Sequence, residues 1–156
     1  MTDRVRDENK RRITTLFETC FNVGDLGLLD ELVSPDYVGP QGRRGPAGFT
    51  EIVVGLRTAF PDIHYTIEDI VAEDDKVAVR WTWSGTHQAA FRAYGPTGKA
   101  ISNTGAGIFR LTAGTIVAAA LETDRLGFLQ QVGAVPADIA TAPPPAPAAA
   151  KSIPSM

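Results

Sequence analysis

The chain has 156 residues, 44% of them hydrophobic and 21% charged, with a net charge of −3. This is the length of one domain with a tail, and the apolar fraction is enough for one core. The acidic balance excludes a nucleic-acid binder, which needs a clustered basic surface. No run approaches the roughly 20 apolar residues of a membrane span.

The opening MTDRVRDENKRR lacks the apolar core of a secretory leader. Its charges of both signs read as the solvated face of a helix. Ile13, Leu16, Phe17, Cys20 and Phe21 repeat at helical spacing. They predict a helix over Asp3–Val23 that closes at Gly24. Cys20 is the one cysteine; on this apolar face it reads as a core thiol, and a single cysteine fits a reducing compartment. The expected location is the cytoplasm. Asp25 is a cap for a second helix, with Leu26, Leu29, Leu32 and Val33 on its buried side and Ser34-Pro35 as its stop. The glycine-rich stretch Gly39–Gly48 reads as a mobile lid loop. Pro46 suits the start of a third helix, with Phe49, Ile52, Val53, Leu56 and Phe60 as its stripe.

From His64 the apolar period becomes two. Strands are predicted over His64–Ala72, Lys76–His87, Ile101–Thr112 and Thr115–Thr123, with a turn at Gly95–Gly98 between the second and third. Val77, Val79, Trp81 and Trp83 share one face. At Asp124 the last strand breaks into a short helix, Arg125–Gln131, ending at Gly133. Helices first and antiparallel strands after predict an α+β domain, with helices packed on one face of a curved sheet. The domain is expected over residues 1–136. The Ala/Pro-rich residues 137–156 are expected to form an extended, disordered tail.

The order of these elements is carried by local phrases: Ala59-Phe60-Pro61-Asp62, Ser84-Gly85-Thr86-His87, Gly95-Pro96-Thr97-Gly98-Lys99, Ile108-Phe109-Arg110 and Asp124 through Gly133. Together they resemble the SnoaL-like polyketide cyclases of the nuclear-transport-factor-like superfamily, over roughly Arg4–Pro136. The resemblance implies a cone-shaped, barrel-like antiparallel or mixed sheet. It also implies a cofactor-free enzyme for a polyketide-like or polycyclic small molecule, with Asp124 as general acid/base in an intramolecular aldol closure. Relatives that hydroxylate or open epoxides make epoxide opening an alternative, and a non-catalytic binding module is another. Many members carry an acidic residue and a tryptophan at the positions of Ala118 and Ala120; alanines there imply a wider pocket. The superfamily's habit of pairing open sheet faces implies a homodimer or higher homo-oligomer.

Two readings compete at each candidate. Asp124 is either an acid/base group in apolar surroundings or a helix N-cap whose carboxylate takes a backbone N–H. His87 follows the Trp81 and Trp83 strand with their parity. It either shares a cavity with Asp124 and polarises a carbonyl, or sits at the rim on backbone partners. Trp81 and Trp83 are either a stacking wall for a flat ligand or core. Tyr37 and Phe91 are expected at a pocket rim. Asn103 either binds a substrate oxygen or pairs locally. Ala120 and Glu122 are expected to face the pocket with Asp124, and either His87 or Glu122 is the second acid/base group in the epoxide reading. Two histidines without a spaced Cys, His and Glu cluster predict no metal site.

Overall fold

Thr2 starts the first helix by accepting the Val5 N–H on its hydroxyl. The computed structural model describes residues 1–139, and the tail expected over 137–156 lies outside them from residue 140 onward. Helix α1 spans Asp3–Thr15 and continues as a π-helical turn, Leu16–Phe21, that buries Leu16, Phe17, Cys20 and Phe21. The wider turn has a cause outside the helix. Strand β1 spans His64–Glu73, and Asn22 pairs with its edge as a neighbouring strand would. Asn22 Oδ1 accepts from the Tyr65 N–H at 2.6 Å, and Nδ2 donates to the Tyr65 carbonyl at 3.0 Å. Helix α3, Ala47–Ala59, sends Arg57 to the carbonyls of Phe21 (3.0 Å) and Asn22 (2.6 Å). The guanidinium thus satisfies carbonyls that a helix end leaves unpaired.

The second helix is shorter than its apolar pattern predicts. Helix α2 covers only Leu29–Leu32. Asp25 accepts from the Gly27 N–H at 3.1 Å, an Asx turn that competes with helix initiation. Val33 leaves the helix to bridge Ile116 in parallel. The Gly39–Gly48 loop folds onto Tyr37, with the Gly45 N–H on the Tyr37 carbonyl at 2.7 Å.

Strands β2 (Lys76–Thr86), β3 (Ala100–Thr112) and β4 (Thr115–Thr123) complete an open, curved antiparallel sheet in the order β1-β2-β3-β4. Val77, Val79, Trp81 and Trp83 all face the helices and are buried. The register sets them opposite Phe109, Gly107, Gly105 and Asn103. Phe17 meets Trp81 at 5.3 Å between ring centres, and Phe60 meets Trp83 at 4.9 Å. Glycine at 105 is required by this packing: a Cβ there would stand 2.7 Å from the indole nitrogen of Trp81. Helix α4, Arg125–Gln131, is clipped to β3 by Gln131, which accepts the Ser102 N–H (2.9 Å) and donates to its carbonyl (2.7 Å). No helix among the described residues is long and apolar enough to cross a membrane.

Gly105→Ala forces the indole off β3, and overpacking of this kind costs about 1–3 kcal/mol. Urea unfolding is expected to show that loss with altered tryptophan fluorescence; an unchanged midpoint and spectrum would place Trp81 elsewhere.

Candidate functional site

The interior is wettest in chemistry where α3 turns into the sheet. Phe60 ends α3, and Pro61-Asp62 turns the chain towards β1. Asp62 then reaches across to the end of β2. Its carboxylate accepts from the Thr86 N–H (2.6 Å) and the Thr86 hydroxyl (2.8 Å). These bonds, the backbone one first, hold the Asp62 carboxyl below its ordinary value of 3.8. The next residue, His87, keeps the inward parity of Trp81 and Trp83 and is fully buried. Its ring stacks on Phe60 at 5.2 Å and 24°.

His87 is held on nearly every polar atom. Its N–H donates to the Lys99 carbonyl, and its own carbonyl accepts from the Gly98 N–H, both at 2.9 Å. Nδ1 lies 3.1 Å from the Thr97 hydroxyl. Nε2 is buried with no partner. Trp81 Nε1 is the other buried side-chain nitrogen in that condition among the described residues. Six residues of strand, roughly 20 Å of rise, separate the two, so they do not form one cluster.

Asp124 is exposed and caps α4, with Oδ1 taking the Gly127 N–H at 2.8 Å. The apolar surroundings expected for it are absent, because the chain leaves the sheet here to begin the helix. Its backbone N–H donates to the Thr104 carbonyl at 3.0 Å. His87 instead follows Thr86, which pairs with Ala100. His87 thus lies at Lys99 and Asp124 at Thr104, about five residues apart along β3, roughly 17 Å, rather than in one hydrogen-bonding cluster. Helix α4 spans that interval, and its Phe128 packs on Phe60 at 6.4 Å.

Several expected pocket residues sit elsewhere. Ala120 and Glu122 lie on the outer face, away from the helices, because β4 pairs them with Ile108 and Ala106, which alternate with the inward Gly105 and Gly107. There they border a shallow hollow of about 420 Å³, with Val71 and Ile108 in its floor and the Asp69–Arg80 ion pair (2.6 Å) at its rim. Tyr37 is core rather than rim. It stacks on Phe49 at 4.9 Å, and the absence of side chains at Gly39 and Gly48 makes room for its ring. Trp81 and Trp83 are core in the helix–sheet interface. Asn103 is inward and buried, but its Oδ1 turns back to the Thr104 N–H at 2.9 Å. Phe91 is half-buried and edge-on to Phe128 at 5.6 Å.

The sequence reading missed Phe60 and Thr97 as partners of His87. Both belong to phrases that stand out in the chain, yet Thr97 is ten residues away through a turn, and no periodicity links it to an imidazole.

Residues 11–132 match the family model described as SnoaL-like polyketide cyclase. The chain belongs to the SnoaL-like polyketide cyclase family. Solved relatives agree over most of its length. TsrD from Streptomyces laurentii is 26% identical, with a TM-score of 0.78 over 86% of this chain and 100% of that one. IdmH from Streptomyces antibioticus, described as a candidate polyketide cyclase, is 33% identical with a TM-score of 0.69 over 80% and 98%. AclR from Streptomyces galilaeus, described as a candidate hydroxylase, is 28% identical with a TM-score of 0.74 over 84% and 88%. No curated protein matches the sequence.

The Asp62–Thr86 clamp has a pH signature. A carboxyl lowered on folding stabilises the fold above its unfolded pKa, and that contribution is lost as pH falls through the lower folded value. A carbon-detected titration is expected to find Asp62 below the ordinary aspartate value, and Thr86→Val to move it part of the way up, since the backbone donor remains. An unshifted Asp62 in the wild type would remove the clamp.

Proposed function

We propose that this protein is a cofactor-independent cyclase or isomerase acting on a polyketide-like or polycyclic small molecule by general acid/base catalysis. The observation that carries the reading is His87: a fully buried imidazole with an unpartnered Nε2, at the end of the inner strand of a SnoaL-like fold. A buried polar group without a partner is a standing cost that a ligand relieves. The family match spans both His87 and Asp124, and the reading divides the labour between them. Asp124, exposed at the strand–helix junction, is the proton-transfer group. Its carboxylate takes a proton alpha to a carbonyl. The enolate carbon then attacks a second carbonyl of the same molecule, a carbon–carbon bond forms, and the resulting alkoxide is protonated. No atom is gained or lost. His87 holds a carbonyl oxygen farther along the substrate. Their separation along β3 suits an elongated substrate rather than a compact one. Binding requires α4 and the Phe91–Phe128 edge pair to move outward, because the ring is closed over. Holding a flexible chain in a reactive fold supplies much of the rate.

Mass-resolved turnover tests this on a panel of polyketide keto-esters and epoxy-alcohols. The wild type is expected to give an isobaric product. Asp124→Asn keeps the helix cap, since Asn caps as well as Asp. It is expected to lose about 10²–10⁴-fold in rate. A product heavier by one water would replace the reading with epoxide hydrolysis. Equal rates for both proteins would return Asp124 to a cap alone. Tight binding without conversion would make the protein a binding module.

We also propose that the outer sheet face pairs with a second copy of the chain. Val71 and Ile108 are 64% and 51% exposed beside Ala78, Ala106 and Ala120, an apolar patch of the kind that marks an interface. Light scattering at micromolar concentration is expected to give at least twice the 16.6 kDa chain mass, and Ile108→Asp to reduce it to one. A wild-type monomer would refute the pairing.

A further inference from the structure

We propose that Thr97 is a positioning residue that fixes His87 in the tautomer with its proton on Nε2, so that the ring offers a hydrogen-bond donor to a carbonyl or enolate oxygen of the substrate. This rests on the reading of His87 as a substrate-facing group and adds the chemical role of its free nitrogen.

The argument begins in the turn before β3. Gly98 has φ +69°, a left-handed conformation that glycine adopts without strain. That bend doubles the chain back, so that Thr97, Gly98 and Lys99 all face His87. The Thr97 hydroxyl accepts from the Lys99 N–H at 3.2 Å. This bond occupies one of the oxygen's two lone pairs and orients the hydroxyl; in the proposed arrangement its proton points at Nδ1, 3.1 Å away. A nitrogen that accepts from a hydroxyl carries no proton itself, so the proton of a neutral imidazole resides on Nε2. The backbone clip to Lys99 and Gly98 prevents the residue from swinging away, and the Phe60 stack sets the plane of the ring. Asp62, the nearby carboxylate on the turn after α3, is engaged with Thr86. The Lys99 ammonium points to the Gln131 carbonyl at 3.4 Å. Among the described residues, the ring's one side-chain hydrogen-bond partner is therefore the neutral hydroxyl of Thr97.

The chemical consequence is specific. An Nε2–H donor stabilises negative charge that builds on oxygen, as an oxyanion-hole donor does. It does not remove protons. A neutral histidine used in this way polarises a carbonyl without being consumed as an acid. The substrate group matched to Nε2 is therefore an acceptor: a ketone, ester or enolate oxygen, not a hydroxyl donor.

The test is nitrogen NMR of the histidine rings in the full chain at about pH 8, above the ordinary histidine range. The chain has two histidines, and His64 is exposed at the start of β1, so His64→Gln assigns the signals. The wild type is expected to show a pyrrole-like Nε2 and a pyridine-like Nδ1 for His87. Thr97→Val is expected to give a tautomer mixture, and Thr97→Ser, which restores the hydroxyl, to return the wild-type pattern. A protonated Nδ1 in the wild type would overturn the proposal, as would a Thr97→Val spectrum identical to the wild type. Turnover by His87→Phe separates this from the functional reading. Undiminished activity there would remove His87 from the reaction while leaving the tautomer result standing. Lost activity combined with an unmoved tautomer in Thr97→Val would keep His87 and discard Thr97.

Discussion

The packing of Trp81 against Gly105 sets the character of the molecule. An indole lying flat on a strand needs a neighbour without a side chain, and β3 supplies glycine at 105 and again at 107. The ring then fills the helix–sheet interface with Phe17 on one side and the strand on the other. Trp83, Tyr65 and Phe60 continue the layer towards the end of the sheet. Aromatic rings in tilted and edge-on contact bury large areas and also fix each other's orientation. The inner face is thus a stack of rings along β2, and the polar chemistry is left to the place where that stack ends.

That place is the corner made by Phe60-Pro61-Asp62. A single short phrase there does three separate jobs. Phe60 covers the imidazole of His87, proline turns the chain, and Asp62 ties down the last residues of β2 through Thr86. The turn from Gly95 to Lys99 closes on the same histidine from the other side. His87 is consequently among the most constrained residues of the fold, and its Nε2 is left over from that constraint. A functional histidine needs this kind of support, since a ring free to rotate would dilute any catalytic geometry.

The two faces of the sheet divide the work. The inner face bears the aromatic layer and His87. The outer face bears alanines, Val71 and Ile108, with charged pairs at the rim. Ala118 and Ala120 belong to this outer side by register. Their small side chains therefore flatten the outer surface instead of enlarging the inner one. Asp124 stands at the end of the same strand, where the sheet gives way to α4, and from there the carboxylate is accessible to solvent.

Much of this was determined by the sequence alone. Period-two runs and the Gly95–Gly98 turn specified four antiparallel strands, and the helical stripes specified the packed faces of α1 and α3, because each depends on neighbours a few residues away. The phrases Ala59–Asp62 and Ser84–His87 marked the family and the inward histidine for the same reason. What the tertiary structure decided depends on contacts between distant segments. Strand register turned Ala120 and Glu122 outward, since alternation says which residues share a face but not which face meets the helices. Asn22 reaching Tyr65 widened the end of α1 into a π-turn, Val33 left α2 to pair with Ile116, and Tyr37 folded inward over two glycines. Thr97 met His87 through a glycine-permitted bend. No local pattern encodes these pairings, because each is fixed only when the helices close on the sheet.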